Sequence, residues 1–127
     1  MKDNTRIEAL RALHKSIERR ITIPFEEFVE HLKPFEIHPI HDRGEIIGAV
    51  GTNGSEIHVG VTRTPEGAHI GELRSILSKI IMRYESATTS VMHDNLPGLA
   101  FCRRIGFEET HRDERGVHFE LKEFGND

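Results

Sequence analysis

Apolar residues recur every three or four positions in four segments of the chain, the spacing of one buried helix face. Thr5, followed three residues later by Glu8, resembles a capping box at the start of the first segment. Pro24 suits the first turn of the second segment. In the fourth segment, Asn95 is placed to cap the start of the helix and Gly106 to end it. The predicted helices cover residues 5–20, about 24–33, 70–84 and 96–105.

Between these helices the pattern changes to short segments typical of strands. Asn53-Gly54 is the strongest hairpin signal in the chain, and Pro39 favours an edge position for the first strand. A second hairpin is predicted around residues 114–116. The six predicted strands are 37–40, 45–50, 55–62, 87–92, 107–112 and 117–122.

The resulting order is α-α-β-β-β-α-β-α-β-β. Three consecutive strands predict an antiparallel meander, and the strand–helix–strand segment that follows predicts a crossover with parallel neighbours. We therefore expect an α/β (α+β mixed) fold with a mixed sheet flanked by helices. The sequence shows no linker, repeat or low-complexity tract, so residues 1–127 are expected to form one domain.

Composition narrows the possible partners and locations. The net charge of −4, with acids and bases interspersed, argues against a general nucleic-acid binder. No apolar run approaches the roughly 18–20 residues that span a bilayer, and no secretion signal is visible. Cys102 is the single cysteine, which excludes an internal disulfide and fits a reducing compartment. A cytoplasmic protein without membrane or nucleic-acid partners is expected.

The segment from Asn95 to Phe107 resembles the GNAT (N-acetyltransferase) superfamily. That family has an Asn at a strand end, a helix containing Ala, and then Gly-Phe at the start of the next strand. Asn95, Ala100, Gly106 and Phe107 match this pattern, and Val91 fits the preceding strand. The order of elements extends the resemblance over nearly the whole chain, although the first strand usual in the family is missing. The resemblance implies a central, mostly antiparallel sheet.

The resemblance also implies a cofactor, acetyl-CoA, and transfer of its acetyl group to an amine of a small molecule or a protein. The pantetheine arm would enter between parallel strands 55–62 and 87–93, and the loop before the long helix would hold the pyrophosphate. The cofactor-binding residues implied in this way are Val61, Thr62, Arg63, Gly67, His69, Ile70, Gly71 and Asn95.

The sequence departs from the family pattern at two places that matter for chemistry. In the pyrophosphate loop, Glu66 stands where the family has Gln or Arg, and His69 stands at a glycine position. Cys102 occupies the position of the tyrosine that serves many members as general acid. The resemblance implies a general base near Glu56 and His58 on strand 55–62, so the catalytic candidates are Glu56 or His58 as base and Cys102 as acid. Alternatively, Glu56 and His58 are polar residues on a partly solvated strand face, and Cys102 is a small, buried apolar residue.

No metal site is expected, because His38 and His41 have no cysteine or second close pair to accompany them. Two functions remain. The first is an acetyl-CoA-dependent N-acetyltransferase. The second is a catalytically silent GNAT-fold protein with assembly partners, similar to the small acetyltransferase-like virion proteins of tailed phages. In that second case the location is the virion.

Overall fold

The computed structural model describes residues 2–18, 21–63 and 70–123. All ten predicted elements are present in these ranges. The four helices are α1 (Lys2–Ile17), α2 (Phe25–His31), α3 (Ile70–Tyr84) and α4 (Leu96–Ile105). The six strands are β1 (Glu36–Asp42), β2 (Glu45–Asn53), β3 (Glu56–Val61), β4 (Ala87–Val91), β5 (Glu108–Arg112) and β6 (Val117–Leu121).

Helix α1 begins earlier than the sequence pattern indicates. Thr5 lies inside the helix, so the capping box predicted there is wrong. No proline or glycine precedes Thr5, and the residues before it therefore continue the helix. The helix ends at Ile17 instead of Arg20, and residues 19 and 20 lie outside the described ranges.

Helix α2 is joined to α1 by polar contacts at both of its ends. The Arg6 guanidinium of α1 donates hydrogen bonds of 3.1 Å to the carbonyls of Leu32 and Phe35, just beyond the end of α2. At the other end, His14 Nε2 donates to the carbonyl of Ile23 at 2.7 Å. Pro24 occupies the N-cap position of α2, one residue earlier than predicted. None of the described helices is long and apolar enough to cross a membrane.

The strands form one six-stranded sheet in the order β1-β2-β3-β4-β6-β5. Strand β1 lies at an edge, as Pro39 indicates, and pairs antiparallel with β2. Strands β3 and β4 pair in parallel, with Glu56 opposite Thr88, whereas β6 is antiparallel to both β4 and β5. The predicted mixed, mostly antiparallel sheet flanked by helices is confirmed.

The chain divides into two compact units, one formed by Met1–Asn53 with His58–Leu73 and the other by Gly54–Ile57 with Arg74–Asp127. The single domain expected from the sequence stays a prediction. One buried apolar cluster of the first unit is formed by Ala9, Leu10, Leu13, Phe28 and Ala49. Apolar residues buried in the second include Leu77, Ile80, Ala87, Leu99, Phe107, Val117, Phe119 and Leu121.

Gly60 shows how closely α1 packs against β3 in the first unit. A Cβ at Gly60 would lie 2.3 Å from Ser16 Oγ and 2.7 Å from Leu13 Cδ1, so any other residue here would displace these side chains of α1. Because side chains alternate along a strand, His58 shares this face. The imidazole of His58 is half-buried and lies 5.7 Å from the ring of Phe35. This face of β3 is therefore covered by α1 at Gly60 and by Phe35 at His58.

Candidate functional site

The end of β3 carries the first group of residues predicted to bind a cofactor. Val61 is half-buried, and Thr62 follows it as an exposed residue. Both hydrogen-bond donors of Thr62 bond to the carbonyl of Ile47 in β2, the amide N–H at 2.8 Å and the hydroxyl at 3.1 Å. Thr62 therefore extends the pairing of β3 with β2, and its donors serve the sheet.

Arg63 is held against the hairpin between β1 and β2. Its guanidinium forms ion pairs with Asp42, which is only 1% exposed, and with Glu45, which it meets at 3.0 Å. Hydrogen bonds to these two carboxylates, Asp42 first, raise the pKa of Arg63 above its ordinary value. The positive charge of Arg63, which was predicted to bind a diphosphate, thus neutralises the buried carboxylate of Asp42.

The structure describes the two ends of the predicted pyrophosphate loop. Gly67 and His69, together with Glu66, lie outside the described residues. Ile70 and Gly71 are the first two residues of α3, so backbone N–H groups free of helical partners occur here. Glu72 adds a carboxylate to this first turn. The helix dipole favours an anion at this end of α3, but the carboxylate of Glu72 repels any further anion that binds there.

The two candidates for a general base differ in their surroundings. Glu56 is an exposed residue at the beginning of β3, in the unit that contains β4. His58 belongs to the other unit and packs against Phe35. Each of the two makes further polar or ring interactions within the protein. The role of either residue as a general base stays a prediction.

Asn95 caps helix α4, as its position in the sequence predicts. The side-chain oxygen of Asn95 accepts a hydrogen bond of 3.1 Å from the amide of Gly98. At the other end, Gly106 adopts a φ of 118° and its N–H bonds to the carbonyls of Cys102 and Arg103. The residues that carry the family resemblance therefore define the two ends of one helix.

Cys102 lies on the inner face of α4 and is 7% exposed. Burial raises the pKa of its thiol from 9.0 to about 11, against a smaller opposite effect of Arg103. The thiol is therefore protonated at neutral pH. Burial and the raised pKa favour the interpretation of Cys102 as a packed apolar residue.

The hairpin of β5 and β6 brings together polar residues that the sequence analysis did not single out. The rings of His111 and His118 stack with centroids 4.2 Å apart and planes within 8° of parallel. His118 Nε2 lies 2.9 Å from Asp113 Oδ2, and His93 Nε2 donates to the Asp113 carbonyl at 2.6 Å. The sequence held a signal for the histidine pair, because a hairpin loop over residues 113–116 places positions 111 and 118 opposite each other.

The carboxylate of Asp113 is fixed by the turn it helps to form. Its Oδ1 accepts the amide N–H of Arg115 at 2.9 Å and of Gly116 at 3.2 Å. Desolvation raises the pKa of Asp113, but the hydrogen bonds from Arg115, His118 and Gly116 outweigh it and lower the pKa overall. At neutral pH the turn therefore presents an ionised carboxylate to His118.

Comparison with known proteins gives matches by structure and none by sequence. No protein-family model matches the chain. A search of curated proteins finds no significant match either.

Solved structures share the fold over most of the chain. A ribosomal-protein-alanine N-acetyltransferase from Brucella melitensis aligns with a TM-score of 0.67 and 16% identity, covering 92% of this chain and 94% of that one. An N-acetyltransferase from Staphylococcus aureus Mu50 gives 0.67 and 11%, covering 96% and 94%. The Campylobacter jejuni N-acetyltransferase PseH, solved in complex with acetyl coenzyme A, gives 0.61 and 15%, covering 84% of each chain. At these identities the likeness establishes the fold, which is that of the GNAT N-acetyltransferases.

Proposed function

We propose that this protein is an acetyl-CoA-dependent N-acetyltransferase acting on a primary amine. The likeness to solved N-acetyltransferases, which covers more than four fifths of both chains in each case above, carries this proposal. One of those relatives was solved with acetyl coenzyme A. Because a fold can be kept while its chemistry changes, the proposal also depends on which residues of this chain could bind the cofactor and catalyse the transfer.

In the proposed binding mode, the diphosphate of the cofactor meets the N-terminus of α3. Ile70 and Gly71 begin this helix, and its first N–H groups point away from the helix body, where an anion is favoured. Val61 and Thr62 at the end of β3 precede this helix along the chain, and Gly67 and His69 lie between these residues and the helix in the sequence. Acetyl-CoA bound here would present its thioester to the incoming amine.

The reaction needs a base for the amine and a proton for the leaving thiolate. Glu56 or His58 accepts the proton of the ammonium or of the attacking amine. Transfer of a proton from a thiol of pKa about 11 to an alkyl thiolate of pKa about 8.5 is uphill by about 3 kcal/mol. We therefore assign no proton transfer to Cys102, and solvent protonates the leaving thiolate.

One observation favours the alternative, a protein that keeps the fold without the reaction. Arg63, the cation nearest the predicted loop in sequence, is engaged by Asp42 and Glu45. Glu66 and Glu72 add negative charge around the same loop. A silent protein of this kind would act through protein partners in an assembly, such as a phage virion.

Amine-dependent release of free CoA from acetyl-CoA distinguishes the two functions. We expect the wild-type protein to release CoA above the buffer rate with at least one amine from a panel of polyamines, amino sugars and peptides with free N-termini. Glu56→Gln or His58→Gln should then lower the rate by about 100-fold or more, the usual contribution of a general base. No release with any amine contradicts catalysis, and unchanged rates in both variants contradict the assignment of the base.

A further inference from the structure

The tip of the β5–β6 hairpin gathers three side chains of the kinds that bind transition metals. One potential ligand atom from each of His111, Asp113 and His118 lies within 4.8 Å of the other two. Within residues 2–18, 21–63 and 70–123, this is the one set of three such side chains that is close enough to share an ion. The proposed acetyl transfer uses none of them.

A β-bulge brings the two histidines together. From the base of the hairpin, Glu108 faces Glu120 and Glu109 faces Phe119, but beyond the irregularity between Glu109 and His111, His111 faces His118. In the unshifted register Thr110 would face His118 instead. The extra residue therefore moves His111 directly opposite His118, on the same face of the hairpin. Bulges commonly redirect a side chain in this way.

The hydrogen bonds of Thr110 set the tautomer of His111. The Thr110 hydroxyl has one hydrogen, which it donates to the carbonyl of His118 at 3.2 Å. Thr110 Oγ1 also lies 3.1 Å from His111 Nδ1, so it accepts the proton of that nitrogen. The lone pair of His111 is then on Nε2. A histidine that binds a metal through one ring nitrogen usually donates the proton of its other ring nitrogen to an oxygen, as His111 Nδ1 does here.

Asp113 and His118 are held at a spacing close to that of two metal ligands. Tetrahedral zinc, with bonds of about 2.0–2.2 Å to nitrogen and oxygen, separates its ligand atoms by about 3.3 Å. Asp113 Oδ2 and His118 Nε2 are 2.9 Å apart, so an opening of a few tenths of an ångström admits an ion. The backbone amides of Arg115 and Gly116 hold the other oxygen of Asp113 in place.

We propose that His111, Asp113 and His118 form a binding site for a divalent transition-metal ion of the zinc type. Two imidazoles and one carboxylate suit Zn²⁺, Co²⁺ or Ni²⁺, whereas Mg²⁺ and Ca²⁺ prefer sites made of oxygen ligands. In the neutral ring of His118, the proton moves from Nε2 to Nδ1 when Nε2 binds the ion. Three protein ligands leave a fourth position for water. The ion cross-links the two strands at the hairpin tip.

The test is titration of the untagged, full-length chain with ZnCl₂ in a calorimeter, with CoCl₂ absorption spectra to report the coordination. We expect one ion per chain and the strong visible bands of four-coordinate Co²⁺. His111→Gln, Asp113→Asn and His118→Gln should each weaken binding at least about tenfold. His31→Gln is the matched control, because it removes an exposed histidine of α2 and should leave the affinity unchanged.

Two further measurements separate loss of a ligand from loss of the hairpin. Asp113→Asn keeps a side-chain oxygen for the amides of Arg115 and Gly116, so its amide NMR spectrum should show the same turn. Thr110→Val removes the partner of His111 Nδ1 without removing a ligand, and should weaken Zn²⁺ binding by about tenfold. No Zn²⁺ binding by the wild-type chain, or equal affinity in the wild type and the three ligand variants, would overturn the proposal.

Discussion

Two residues that the family resemblance marks for chemistry, Arg63 and Cys102, are engaged in the folded structure, Arg63 by ion pairs and Cys102 by burial. Arg63 pairs with Asp42, which lies 21 positions away along the chain. No local pattern reveals such a pair, because it depends on how the β1–β2 hairpin meets the end of β3. Cys102 was open to both interpretations from sequence, and its burial depends on which face of α4 packs inward.

The raised pKa of Cys102 makes a prediction about stability at alkaline pH. The unfolded thiol ionises at about 9, whereas the buried thiol does not ionise until about 11. The neutral thiol thus contributes stability below pH 9 that is lost as the pH rises toward and through 11. Between about pH 8 and about pH 10, the wild type should lose about 1 kcal/mol more than Cys102→Ala, measured by urea unfolding. Parallel pH curves for the two proteins would show that the thiol ionises normally in the folded state.

At the scale of whole elements, periodicity predicts the fold well and the element ends less well. Helix α3 has the predicted bounds, and Asn95 and Gly106 define α4 as expected. The start of α1 was wrong because a Thr-x-x-Glu pattern also occurs inside helices. The bulge before His111 has no signal in the sequence, since neither glycine nor proline accompanies it. The pairing of His111 with His118 could be counted from the predicted turn, but the bulge that joins this pairing to the rest of the hairpin could not.

The N-cap of α4 gives a prediction at this scale. Asn95→Ala removes the oxygen that accepts the Gly98 amide and should lower the free energy of unfolding by about 1 kcal/mol. Asn95→Asp is the matched control, because a carboxylate oxygen accepts the same hydrogen bond at the positive end of the helix. Urea unfolding of the three proteins measures the difference. A loss of stability in Asn95→Asp as large as in Asn95→Ala would contradict the capping role.

At the scale of the whole molecule, the element order and the parallel pairing of β3 with β4 define the acetyltransferase fold. The sequence predicted this order because each element has its own periodicity and stop signals. It could not decide whether this chain binds acetyl-CoA. In the proposed binding mode, that outcome depends on the balance between the N–H groups that begin α3 and the carboxylates of Glu66 and Glu72. Arg63 cannot offset these carboxylates, because it is already paired with Asp42 and Glu45.

Acetyl-CoA binding is measured most directly by the melting temperature of three proteins at millimolar cofactor. Gly71→Asp places a carboxylate where the diphosphate is proposed to bind, at a helix end that tolerates negative charge. Ser78→Asp adds the same charge at an exposed position two turns further along α3. At ten times the Kd, mass action stabilises the folded protein by about 1.4 kcal/mol, or about 4 °C. We predict such a rise for the wild type and Ser78→Asp and none for Gly71→Asp. No rise in the wild type, or an equal rise in all three, would contradict the account.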